Sequence, residues 1–324
     1  MKRNPSMTEE DWRWFELWCG ARALSPSDLV SLEVQLRIDQ SNMDARVQLF
    51  SYYYGLEGNE LKSTNAEQNL FKHVEWLIEN YPSLPGSLGN RLTAAGRRFK
   101  PKAFGILRQK WLVQISAAPS NGTIIGNAAS FIAWKDFETA SYLFERAYAL
   151  QPTAGWLGMF TIHCNFELSR APAMYKDRIR KQVIDVGVRS LTSEPGGAWF
   201  MTCEFVSDAA LTLGRYELVR WCAEILSKWE RSTCEQMANA YLGLVALREN
   251  DRDLAIQLML IMKREYQPQE VVFRLARELF DVGERESIVQ LIEGFKRKIK
   301  TSARSRWLAL IAKNEPPDFE DYCC

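Results

Sequence analysis

The sequence predicts an all-α protein, and three observations predict it. Apolar residues recur at three-and-four spacing, as in Leu70, Val74, Leu77 and Ile78, then Ala255, Leu258, Met259 and Met262, then Ile288, Leu291, Ile292 and Phe295. That spacing lines one face of a helix with 3.6 residues per turn. Runs alternating at period two, the mark of a half-buried strand, are nearly absent. Pro82, Pro85, Pro101, Pro119, Pro152, Pro172, Pro195 and Pro268 divide the chain into stretches of helical length. Proline lacks a backbone donor and clashes inside a helix, so each marks an end or a start.

The elements run in order from the N-terminus. Residues 8–22 read as a terminal helix. In "SPSD" at 25–28, Ser25 can cap a helix and Pro26 takes its first position, where the missing N–H is not needed. "MDARVQLFSYYYGLEG" (43–58) and "NAEQNLFKHVEWLIENYP" (65–82) form a hairpin with a longer loop. A helix over 121–134 offers Ala128 and Phe131 inward, and a second comes after it over 136–152. The hairpin around 156–191 is degenerate, with an insertion near 171–176. "EPGGAW" at 194–199 is a loop before a helix, because it lacks the strand, the Lys and the spacing of a phosphate-cradling loop. First helices of later hairpins fall at 200–213, 236–249 and 269–282. Gly214 and Gly283 suit the tight turns within the first and last of these hairpins. Residues 302–313 close the chain as a terminal helix.

The packing logic is clearest in "DFETASYLFERAYALQP", 136–152. Two antiparallel helices need small residues where their axes approach, a bulky one for the next gap, and a break at the end. Ala140, Phe144, Ala147 and Pro152 meet those needs in order. The Ala140 position recurs at Ile179, Val219, Ala255 and Ile288, in steps of about 39, 40, 36 and 33 residues. Leu242 and Gly243 precede Ala255 in "YLGLVALRENDRDLAIQLM", and Leu275 and Ala276 precede Ile288.

This spacing resembles the tetratricopeptide repeat, a helical hairpin of about 34 residues. Leu242 and Gly243 match its Leu-Gly pair. In the 121–152 hairpin, its early Trp and Leu positions hold Ile124 and Asn127. The resemblance covers about 120–299 and, weakly, 43–82. It implies an α-solenoid of antiparallel helical hairpins with N- and C-terminal capping helices. The organisation it implies is a cap over 1–24, degenerate hairpins over 25–118, repeats over 119–300, a cap over 301–314 and an acidic flexible tail over 315–324. A non-enzymatic scaffold or adaptor is then expected, binding a protein or peptide in a concave groove. By register, the groove residues are Glu204, Asp208, Arg248, Phe273 and Arg277. Arg248 and Arg277 could grip a peptide carboxylate bidentately, and ion pairs between adjacent helices are the competing use of these charges.

Charge suggests a second partner. The chain has 324 residues and a net charge of +1, yet residues 80–135 and 294–314 contain no Asp or Glu. The first window holds Arg91, Arg97, Arg98, Lys100, Lys102, Arg108, Lys110 and Lys135. The second holds Lys296, Arg297, Lys298, Lys300, Arg304, Arg306 and Lys313. Positive segments at 91–110 and 296–306 could attract nucleic acid or another polyanion, with Phe99, Phe104 and Trp111 stacking on bases. Solvated basic faces are the alternative.

Other chemistry finds little support. His73 and His163 lie on separate helices, and the "HC" pair at 163–164 points its side chains about 100° apart, wrong for joint ligation. No cofactor, metal or catalytic motif is expected. The longest apolar run is "YLGLVAL", too short to span a membrane. The N-terminus lacks an apolar core after its basic start, and seven cysteines without CxxC spacing favour reduced thiols in a cytoplasm. The terminal Cys323 and Cys324 come after an acidic stretch, which argues against a membrane anchor.

Overall fold

The computed structural model describes residues 9–56, 64–84, 86–152, 154–193, 200–229, 232–262 and 267–319. Among these residues the regular structure is α-helix with two short 3-10 turns, and there is no strand. No helix among them is long and apolar enough to cross a membrane. The chain forms two compact units, residues 1–163 and 164–324.

The first unit begins with α1 (Glu9–Gly20), α2 (Pro26–Ile38), α3 (Met43–Gly55) and α4 (Thr64–Asn80). It continues through α5 (Gly86–Ala94), α6 (Pro101–Ala117), α7 (Gly122–Ile132) and α8 (Phe137–Leu150) into α9 (Ala154–Arg170), within which the division falls. Ser25 caps α2, with Pro26 at the first position, and Asp28 reaches back to the Ser25 N–H at 2.8 Å. Each end of this capping box satisfies a donor that the helix leaves orphaned. Asn42, Asn121 and Asp136 cap α3, α7 and α8 through the same side-chain bond to a first-turn amide.

α7 and α8 pack as an antiparallel pair. Ala140, Phe144 and Ala147 are fully buried, as are Ala128 and Phe131. Burying a Phe side chain stabilises by about 1.5–3 kcal/mol, and the alanines let the axes close. Gly126 lies against Trp156, whose ring carbons come within 2.4 Å of where a Cβ would stand. Asn127 is buried, and its amide donates to the Pro82 and Leu84 carbonyls at 3.0 Å. His73 and His163 are both buried; His163 stands edge-on to Trp134 at 5.0 Å.

The second unit contains α10 (Ala173–Ser193), α11 (Phe200–Thr212), α12 (Tyr216–Ser227), α13 (Ser232–Arg248), α14 (Arg252–Leu260), α15 (Glu270–Asp281), α16 (Glu286–Gly294) and α17 (Thr301–Ala312). α10 is already helical at Ala173, so the insertion expected near 171–176 is reduced to a turn. The 194–199 loop lies outside the described residues. Gly214 and Gly283 take φ of +69° and +95° in the α11–α12 and α15–α16 turns. Asn250, with φ of 64°, does the same work between α13 and α14, since its short polar side chain tolerates the left-handed region. α11 packs on α13 and α13 on α15, so the first helices of successive hairpins touch. Gly243 permits the second contact: a Cβ there would stand 2.7 Å from Leu275 Cδ2. Ile179, Val219, Ala255 and Ile288 are all buried. So are four thiols, Cys164, Cys203, Cys222 and Cys234, whereas Cys19 in the first unit is exposed.

Candidate binding face

α11, α13 and α15 carry all five predicted groove residues. On α11 the buried side, with Cys203, Val206, Ser207 and Ala210, fixes the helix rotation. Glu204 and Asp208, four apart, therefore share the remaining, part-open face. Arg274 of α15 donates to Asp208 Oδ1 at 3.0 Å and also lies 3.4 Å from Glu278, one turn along its own helix. Glu278 receives both guanidinium nitrogens of Arg248 from α13, at 2.6 and 3.0 Å. A chain of alternating charge thus runs Asp208, Arg274, Glu278, Arg248 across three helices. Side chains this open contribute about 0.2–1 kcal/mol per pair, so the network orients more than it stabilises.

Glu204 is outside that chain. Its carboxyl has no ion-pair partner among the described residues, while its backbone carbonyl accepts from the buried Tyr241 hydroxyl at 3.2 Å. Burial, then the charges of Asp208 and Glu270, push its pKa up to about 7. Asp208 is also raised by burial, although Arg274 opposes the shift. Burial and these two carboxyls drive the Tyr241 hydroxyl well above its ordinary value, so it stays a donor. No cluster of His, Cys, Asp and Glu among the described residues could hold a metal ion.

Phe273 and Arg277 lie about 100° around α15 from Arg274 and Glu278; Phe273 is closed to a ligand, and Arg277 is exposed but already engaged. Phe273 is 3% exposed. Its ring stacks on Phe319 at 4.9 Å and meets Trp307 of α17 edge-on at 5.4 Å. Arg277 donates to the Asp318 carbonyl at 2.7 Å. The acidic flexible tail expected over 315–324 is corrected for 315–319: Pro317 and Phe319 are buried. The physical reason is an apolar slot between α15 and α17 that one aromatic ring fills; residues 320–324 lie outside the described ones. Arg248 and Arg277 are likewise not free clamps, since each already donates within the chain.

The basic segments are distributed between the units. In the first, Arg97 donates to the Tyr54 hydroxyl at 3.3 Å and Arg98 to the Leu56 carbonyl at 3.1 Å. Lys100 pairs with Glu67 at 3.2 Å, Arg108 with Asp136 at 2.9 Å, and Lys110 with both Glu75 and Glu79. Lys102, exposed in the first turn of α6, extends without such a partner among the described residues. Phe99, Phe104 and Trp111 are buried and cannot stack on bases, a second correction. Three-and-four spacing through Phe104, Leu107 and Trp111 turned two of these rings inward and was readable beforehand; Phe99 lies in extended backbone before α6. In the second unit Lys296 and Arg297 are exposed after α16 and Lys298 is half-buried.

Sequence reasoning missed a cleft of about 350 Å³ in the first unit, lined among others by Glu33, Arg46, Lys72, His73 and Trp76. Arg46 lies over the Trp76 ring at 4.2 Å and its Nη1 approaches His73 Nδ1 at 3.4 Å. Burial, then Arg46 and Lys72, lower the His73 pKa to about 3. The imidazole is therefore neutral, and since the guanidinium can only donate, Nε2 carries the proton, 3.8 Å from Glu33. Glu33, Glu75 and Glu79 balance Arg37, Arg46 and Lys72 along this cleft. Missed as well were Tyr241, Arg274, Glu278 and Trp307; an i, i+4 Arg-Glu pair at 274 and 278 was the available signal.

No protein-family model matches the chain, and no curated protein or solved structure matches it either.

Proposed function

We propose that the chain is a non-enzymatic helical-repeat scaffold, an α-solenoid of tetratricopeptide-like hairpins, that binds an extended segment of another protein on the face of α11, α13 and α15. The supporting observation is Glu204. It is a part-buried carboxyl on a face built by three successive first helices, beside Asp208 and Glu270, with no cation of its own among the described residues. A ligand cation fits that position, because an opposite charge restores the ionised form that burial disfavours. Arg274 and Arg248, joined through Glu278, extend from Asp208 across the same face, and each stays part-open to a ligand's acidic or carbonyl groups although already paired within the chain.

A selection of random peptides displayed on phage against the full chain tests this reading. Selected peptides should share a Lys or Arg and lose at least tenfold in affinity to Glu204→Gln, and several-fold to Arg248→Ala. Failure to select any peptide, or selection of peptides indifferent to both substitutions, would refute it. The polyanion alternative gains no support from the first basic segment, whose cations are mostly engaged within the protein.

A further inference from the structure

α17 ends in a way that aims the chain back at the protein. Asn314 adopts φ of 62°, and the Glu315 N–H bonds to the Leu310 carbonyl at 2.9 Å. That is the closing pattern of a helix whose next residues reverse direction. Arg285 fixes the reversal by donating to Asn314 Oδ1 at 2.7 and 2.9 Å. Pro316 and Pro317 then hold the strand extended, since each locks its own φ.

Asp318 and Phe319, next along the chain, are held as a bound peptide would be. The Asp318 carboxylate accepts from Trp307 Nε1 at 2.8 Å and from Arg306 at 3.1 Å. Its backbone carbonyl accepts from Arg277. The Phe319 ring lies between Phe273, stacked at 4.9 Å, and Trp307, edge-on at 5.0 Å. Two successive side chains and one carbonyl are read, each by a different chemistry. This makes the slot selective: a charge-assisted pair asks for a carboxylate, and the apolar walls ask for a flat ring. Phe319 sits at φ of 49°, in the left-handed region that a bulky side chain disfavours. Some of the attraction offsets that strain, which makes this occupant replaceable.

We propose that the slot between α15 and α17 is a recognition site for an Asp-aromatic pair in an extended peptide. The chain's own Asp318 and Phe319 fill it in cis and yield to a partner protein segment carrying the same pair. This deepens the peptide-binding reading and rests on it, but it uses different side chains, so the two can fail separately. Glu204→Gln and Arg248→Ala should leave the slot unchanged.

The probe is a fluorescein-labelled peptide Pro-Pro-Asp-Phe-Glu, monitored by anisotropy on the full chain. Asp318→Ala/Phe319→Ala vacates the slot, and this variant should bind the peptide at least tenfold more tightly than the parent. Replacing the peptide's Phe by Ala or its Asp by Lys should abolish binding, and adding Arg277→Ala, an exposed position, should weaken it about three- to tenfold. Equal binding to parent and variant overturns the proposal. So does absence of binding at millimolar peptide by a variant that keeps its helical circular dichroism and cooperative melt, which would make the tail a fixed cap. If the variant does not fold, the parent chain decides. Excess peptide should then speed carboxypeptidase trimming past Phe319, read by mass; an unchanged rate overturns the proposal.

Discussion

Glu204 is the side chain whose charge state the fold controls most usefully. Its ordinary value is 4.5, and burial with Asp208 and Glu270 carries it to about 7. Between those values the folded state holds a proton that the unfolded chain has lost. The protonated form's advantage is whole below pH 4.5, shrinks as pH rises, and is gone above 7. Glu204→Gln should therefore melt with the parent at pH 4.5 and about 2–5 °C higher at pH 8, for a gain of roughly 1–2 kcal/mol in a part-open site. Circular dichroism melts at the two pH values check this; a variant that melts lower at pH 8 would mean the carboxylate is already paired. The sequence placed Glu204 and Asp208 on one face but could not show Glu270 beside them, since that neighbour arrives from a helix over sixty positions later.

Helix ends were the most legible elements. Ser25 with Pro26, and the glycines at 214 and 283, act as their local chemistry dictates. Asn250 was overlooked because left-handed backbone is commonly a glycine property. The cap of α8 shows what the sequence leaves out. Asp136 accepts from the Thr139 amide at 3.1 Å, from its hydroxyl at 2.7 Å and from Arg108 at 2.9 Å. Burial opposes its ionisation, yet these donors outweigh burial and hold its pKa below the ordinary value. By contrast Asp251 caps α14 through the Leu254 amide, at 3.0 Å, without a guanidinium beside it among the described residues. Asp136→Ala should lower the unfolding free energy by about 2 kcal/mol and Asp251→Ala by about 1 kcal/mol, measured in urea. Equal losses would show that Arg108 adds nothing to the cap.

Across the whole chain, the helical class and the inward positions of the repeat spacing were readable, because burial imposes a period that survives without knowledge of partners. The fate of charge was not. The acid-free window at 80–135 is real in sequence, yet α4 packs on α6 and brings Glu67, Glu75 and Glu79 to Lys100 and Lys110. Pairing between helices undoes an asymmetry along the chain. The tail was misread for a related reason: composition marked it as acidic and terminal, while the one aromatic ring that anchors it has a slot only once α15 and α17 have met.

The distribution of sulfur gives the protein an internal clock. Cys164, Cys203, Cys222 and Cys234 are all shielded within 164–324, whereas Cys19 lies open elsewhere. A maleimide should modify Cys19 at once. It should reach Cys164, Cys203, Cys222 and Cys234 only as their half of the chain opens, so mapping the peptides that carry these four during a urea titration would track that half by itself. Modification of all four at the rate of Cys19 in dilute buffer would mean that this half breathes freely under native conditions.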